Sequence, residues 1–258
     1  MRRLAVLGMA LILLASWSGA RRPRCTNIKC ATCPLAACGG KACCAGLPEI
    51  VNGIPKGTLT AVDRQAIRQM WLDTKIFRDA SRLLLCKWPL PACDRLPCGE
   101  YHHFMAIQKL LAKYGLPEPM AQDVRGAFPR GPARAAFDKL VAAQDTSLPE
   151  ALAACAQFKE CHIVWLRRQA AASSNLDLQT VCRALERADS GQFRLLHAVL
   201  VHHGGRYTPV ILRPEELAAI LQPPDGVLIG CGKGANCCGC CGGRGSCACT
   251  TADRTARK

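Results

Sequence analysis

The chain has 258 residues, half of them hydrophobic, yet it holds only four Trp, three Tyr and six Phe. At roughly 150 residues per domain this is one large domain with appendages. An apolar mass of Ala, Leu, Val and Cys favours helices over a β-sandwich, whose strands draw on aromatic and β-branched residues. Charged residues make up 21%, too few against this apolar content for disorder throughout.

Arg2 and Arg3 precede an apolar run from Leu4 to Ala15, and Ser18-Gly19-Ala20 supplies small residues at a cleavage spacing. Residues 1–20 therefore look like a secretory signal peptide, and the run is shorter than the roughly 20 apolar residues that span a bilayer. The expected mature chain is secreted or otherwise extracytoplasmic, with no transmembrane helix. Losing Arg2 and Arg3 lowers the formal charge from +15 to +13, which suits association with anionic surfaces or, the favoured expectation, only keeps an exported chain soluble. No basic-aromatic motif for specific nucleic-acid binding accompanies it, and no partner is legible.

The 19 cysteines form three groups: six from Cys25 to Cys44, six from Cys86 to Cys182, and seven from Cys231 to Cys249. In an exported chain their default fate is disulfides. Cys86, Cys93 and Cys98 flank a Pro-rich connection that a short-range bridge would pin. Cys30-Ala-Thr-Cys33 completes no zinc template. The paired cysteines of Cys237-Cys238-Gly-Cys240-Cys241 resemble metallothionein, although oxidation would consume such thiolates.

Between the cysteine-rich ends the pattern is helical. Thr60 to Asp63 opens a first helix that carries Ile67, Met70, Phe77 and Leu84 at helical spacing and stops at Trp88-Pro89. A second helix is expected from near Gly99 to Tyr114, and a short extra one from Arg134 to Ala143. Ser147-Leu-Pro-Glu150 reads as an N-cap with early Pro, opening a long helix to about Ala172. Ser174-Asn175 caps the last, which runs to Gly204-Gly205. The expected organisation is a signal peptide at 1–20, a Cys-rich segment at 21–57, an all-α domain at 58–222 built as an antiparallel four-helix bundle, and a Gly/Cys-rich tail at 223–258.

Polar residues interrupt the apolar stripes, and a polar group at a core position needs a partner or a task. Glu100 and His103 lie three apart on the second helix. Lys159 and His162 continue the stripe of Leu152, Cys155 and Leu166, while Asp189 and Gln192 fall between Leu185 and Leu196. On the first helix Thr74 stands between Met70 and Phe77, with Asp73 one position round. A Glu-x-x-His on a bundle helix is the pattern of carboxylate-bridged metal proteins, because both side chains project to one inward point.

Longer motifs carry a resemblance: Lys75-Ile-Phe-Arg78-Asp79, Glu100-Tyr-His-His103-Phe-Met, Leu110-Leu-Ala-Lys-Tyr-Gly-Leu-Pro-Glu-Pro119, Ala136-Phe-Asp-Lys-Leu-Val141, Ser147-Leu-Pro-Glu-Ala-Leu152, Tyr207-Thr-Pro209 and Glu215-Glu216-Leu-Ala-Ala-Ile-Leu221. From Leu59 to Leu221 the chain resembles the ferritin-like family called domain of unknown function 2202, found mostly in exported prokaryotic proteins. The resemblance implies a ferritin-like bundle with a carboxylate-rich metal site. It departs there: Thr74 or Asp73 stands for a helix-one Glu, Lys159 for a helix-three Glu, His162 for an acidic residue and Gln192 for a helix-four His.

Two divalent cations about 4 Å apart need several bridging carboxylates, and Lys159 brings an ammonium to the same place. The favoured expectation is a site without cofactor, in which Lys159 pairs with Glu100 and Asp189 inside a disulfide-stapled binding or structural module. The alternative keeps a single iron, manganese or zinc ion on Glu100, His103, His162 and Asp189, in a metal handler, ferroxidase or peroxide-consuming enzyme. A third reading is a thiol-based metal sequestrant acting through the tails.

Overall fold

The computed structural model describes residues 47–94 and 96–222. The segment read as a signal peptide, most of the N-terminal cysteine-rich segment and the whole C-terminal tail lie outside the described residues. Among the described residues the fold is all-helical, without a strand.

Helix α1 (Leu47–Gly53) precedes α2 (Ala61–Lys87), α3 (Leu96–Tyr114), α4 (Pro132–Thr146), α5 (Leu148–Ala172), α6 (Leu176–His202) and α7 (Pro214–Leu221). The starts follow local chemistry. Thr60 and Asp63 form a reciprocal capping box at α2, satisfying two amides that have no partner within the helix. Ser147 accepts from Glu150 N at α5, and Asn175 accepts from Leu178 N at α6. Gly204, at φ +78°, takes the left-handed conformation that ends α6.

Two helices were not singled out in the sequence. Helix α1 lies within the segment read as a Cys-rich appendage, but it buries Leu47 and Val51 against α3 and α6. Helix α7 packs on α6 and buries Ile220.

Apolar residues form two clusters. One gathers Phe77, Leu84, Leu96, Leu152, Ile163 and Phe193; the other gathers Ile67, Met70, Ile107, Leu110, Leu166 and Leu185. Along α2 and α6 the chain passes from the second cluster to the first; along α3 and α5 it passes the other way. Each contacting pair of long helices, α2 with α3, α5 with α6, α2 with α5 and α3 with α6, is therefore antiparallel. Because α3 and α5 run the same way, residues 115–147 form a crossover, and α4 within it packs on α2 and α5.

The crossover is anchored by the Lys75-x-x-Arg78-Asp79 motif. Lys75 Nζ, fully buried, donates to Asp79 Oδ2 at 2.7 Å and to the Val124 carbonyl at 2.8 Å. Gly126 N donates to the same Asp79 oxygen at 3.0 Å, and Arg78 pairs with Asp123. A buried charge is tolerated only when paired in this way.

Cys93, Cys155 and Cys182 are free thiols buried in the core, and Cys161 is a half-buried one. Of the three cysteines that flank the connection between the first two long helices, Cys93 is free: it points into the core, at 0% exposure. Cys86, in the last turn of α2, is disulfide-bonded.

Candidate functional site

The polar positions singled out in the stripes form a layer between the two apolar clusters. Glu100, His103, Lys159 and Asp189 are each about 1% exposed, and Thr74, His162 and Gln192 are buried as well. Helical geometry accounts for the convergence: residues three apart on α3, α5 and α6 share an inward face, and the antiparallel run places all three faces at one level.

Lys159 is the hub. Its Nζ donates to Glu100 Oε1 at 2.9 Å and to Asp189 Oδ1 at 2.7 Å. The Phe77 ring centroid lies 4.0 Å from the same nitrogen. An ammonium has three N–H groups; two carboxylates and one ring face supply three acceptors, the last through its negative quadrupole.

Glu100 Oε1 also accepts from Gln192 Nε2 at 2.7 Å, and His103 Nδ1 lies 3.3 Å from it. A Cβ at Gly99 would come within 3.3 Å of Gln192 Nε2, so a glycine here leaves that amide room. On the other side His162 Nδ1 lies 2.6 Å from Asp189 Oδ2. As the carboxylate can only accept, Nδ1 carries the proton and donates. His162 Nε2 has no hydrogen-bond partner among the described residues and lies 4.0 Å from Asp73 Oδ2.

Burial by itself would push every carboxyl here up. Lys159 and then His162 outweigh it at Asp189, and Lys159 and then His103 do so at Glu100, so both are held below the ordinary carboxylate range. Burial would lower the Lys159 ammonium, but Asp189 and Glu100 more than reverse this and raise it. Two ionised carboxylates thus share one ammonium at the centre. Asp73 differs: desolvation outweighs the lowering influence of His162 and raises it.

Glu100, His103 and Asp189 place one donor atom each within 4.8 Å of one another, the spacing of a cation site. The ammonium of Lys159 bonds two of these three. A metal pair does not fit this donor set. Thr74 offers a hydroxyl and no carboxylate, Gln192 turns its amide nitrogen toward Glu100, and Lys159 adds positive charge where bridging anions are required.

The layer brings together Glu100, His103, Lys159, His162, Asp189 and Gln192, with Asp73 at the edge against His162; Thr74 is buried on α2. Three features were not legible in the sequence. Phe77 was read as ordinary core, yet it is the third neighbour of the ammonium. Trp165 stacks on His162, with centroids 5.8 Å apart and planes 14° apart. Glu160 is fully buried but faces away from the layer, accepting N–H groups from Val210, Ile211 and Leu212 and the Tyr207 hydroxyl.

Residues 63–224 match the family described as "Uncharacterized protein domain (DUF2202)", and the chain belongs to that family. It is similar to the uncharacterized protein MJ0754 of Methanocaldococcus jannaschii, at 27% identity over 174 residues, covering 67% of this chain and 94% of that protein. The crystal structure of hypothetical protein MJ0754 from Methanococcus jannaschii superposes with a TM-score of 0.63 at 27% identity, covering 66% of this chain and 97% of that one. Among the described residues, no helix is long and apolar enough to cross a membrane.

Proposed function

We propose that this chain is an exported ferritin-like domain protein whose metal site has become a metal-free ionic centre, and that it serves as a disulfide-stapled binding or structural module. One observation carries this reading: Lys159 Nζ sits between Glu100 Oε1 and Asp189 Oδ1 at 2.9 and 2.7 Å, with all three side chains about 1% exposed. An ammonium there supplies the positive charge that a metal supplies in a carboxylate-rich bundle, and it carries no redox chemistry. The crossover between α3 and α5 supports the ferritin-like assignment, since such bundles use one long crossover connection. The leader at residues 1–20 supports export, and the disulfide at Cys86 supports the stapling.

A second reading has its own observation, the triad Glu100, His103 and Asp189 at metal-ligand spacing. In it the chain binds one iron, manganese or zinc ion after Lys159 swings aside, and acts as a metal handler or oxidoreductase. Elemental analysis of the oxidised full-length protein, with a ferrous-ion titration, separates the two. Metal well below one equivalent per chain, and no ferrous-dependent oxygen consumption, is expected. Stoichiometric metal that is lost on Glu100→Ala or His103→Ala would overturn the metal-free centre.

A further inference from the structure

We propose that the end of the bundle formed by the starts of α2 and α6 docks on a lipid bilayer that carries anionic headgroups. Val62 and Leu176 enter the headgroup layer, and arginines behind them meet the lipid charge. The inference rests on the binding-module reading and gives that module its partner.

The two most exposed large apolar side chains among the described residues are Val62, at 65%, and Leu176, at 58%. They stand in the first turns of α2 and α6. Both helices run from the second apolar cluster to the first, so the two side chains belong to one end of the bundle. Hydrogen bonds tie that end together. Asn175 Nδ2 donates to the Thr58 carbonyl at 3.1 Å and to the Tyr114 hydroxyl at 2.8 Å, and Gly57 N donates to the same hydroxyl at 3.2 Å. Single apolar side chains on a surface are ordinary; these two sit on turns already joined to each other, so docking them costs little further ordering.

Positive charge stands behind the tips. Arg64 and Arg68 on α2 and Arg183 on α6 are exposed and form no ion pair among the described residues. At the helical rise per residue they lie about 5 to 10 Å inside the end. Helical side chains lean toward the N-terminus of their helix, which here is the end of the bundle, so these guanidinium groups reach toward it. The carboxylates of the two helix starts are committed inside. Asp63 is buried in its capping box, with Arg64 acting on it only from a distance, and Asp177 is buried against Lys113 and Tyr114. The exposed Glu49 and Glu118 belong to α1 and to the turn after α3. An anionic bilayer answers both features: apolar tips enter its interface, and arginines within about a Debye length of it are attracted. A nucleic acid would use the arginines and leave Val62 and Leu176 in water.

The test is flotation of the oxidised protein, as exported, with vesicles of phosphatidylcholine and phosphatidylglycerol in equal parts, against vesicles of phosphatidylcholine alone. Binding to the mixed vesicles is expected to be about tenfold or more tighter and to weaken as salt is raised. Arg64→Gln, Arg68→Gln and Arg183→Gln together should weaken it about tenfold or more. Arg125→Gln, Arg130→Gln and Arg206→Gln remove the same charge at other exposed positions and should weaken it about threefold or less. Val62→Ser with Leu176→Ser should weaken it about tenfold and leave the helical circular dichroism unchanged. Both cysteine-rich segments keep their charges in every variant, so the differences report this end alone. No preference for the mixed vesicles, or equal losses from the two arginine triples, would overturn the proposal. So would undiminished binding by the serine pair, in favour of a polyanion such as duplex DNA. Tight manganese or iron lost on Glu100→Ala would overturn the metal-free centre instead, without moving any of the vesicle comparisons.

Discussion

Lys159 and Glu160 are neighbours in the chain, both essentially without solvent exposure, and they serve different parts of the molecule. Lys159 faces the bundle axis and joins α5 to α3 and α6 through Glu100 and Asp189. Glu160, about a quarter-turn round the helix, holds the segment after α6 through the amides of Val210, Ile211 and Leu212. Two opposite charges buried side by side on one helix are thus each satisfied by tertiary partners.

Truncating Lys159→Ala leaves two buried carboxylates without their main counter-ion. The expected loss is about 3 kcal/mol or more, read as a lower midpoint in urea denaturation with an unchanged slope. A loss below about 0.5 kcal/mol, as at an exposed position, would refute the account of the centre.

Restoring ligands should restore affinity for metal. Lys159→Glu together with Gln192→His adds one carboxylate and one imidazole and removes the ammonium. Manganese affinity is expected to rise by about tenfold or more over the parent chain in a calorimetric titration.

Glu160→Ala removes an anchor for three consecutive amides. Hydrogen bonds to a charged acceptor are worth about 1.5 to 3 kcal/mol each when their partner is lost, so a destabilisation of at least about 2 kcal/mol is expected. Hydrogen exchange should speed up most at residues 207–212, with the amides of α2 and α3 affected less.

The pH dependence has a defined sign. Glu100, Glu160 and Asp189 are held below their ordinary values in the folded state, the first and last chiefly by Lys159 against the opposing effect of burial, and Glu160 by its backbone donors against the same effect. Their stabilisation is present above the unfolded carboxylate value of about 4 and is lost as pH falls through the lower folded values. Lys159 is raised, so its contribution is complete below about pH 10 and is lost only as pH rises through its folded value. Denaturant midpoints should form a plateau between these limits, with an acid limb that flattens in Glu160→Gln.

Burial pushes the thiols of Cys93, Cys155 and Cys182 up to about 12. Near neutral pH they are protonated and shielded, and only a thiolate attacks an alkylating reagent. Iodoacetamide labelling of the native protein followed by peptide mapping should find these three unmodified, with Cys161, which is half-buried, labelled first among the four.

The sequence by itself determined the long helices and most of their ends, because periodic apolar residues, Thr60, Ser147 and Asn175 act within one or two turns of the chain. It also singled out Glu100, His103, Lys159, His162 and Asp189, since polar residues interrupting an apolar stripe stand out locally. It did not determine what these side chains touch. The Lys159 contacts join α5 to residues 59 and 30 positions away, and only antiparallel packing sets the level at which those residues meet. Helix α1 was missed because seven residues are too few for a periodic signal. The tasks of Lys75, Asp79 and Glu160 were hidden for a different reason. Their partners are backbone groups of irregular segments, at Val124, Gly126 and residues 210–212; a backbone amide is the same at every position, so only the tertiary structure decides which ones a buried charge will find.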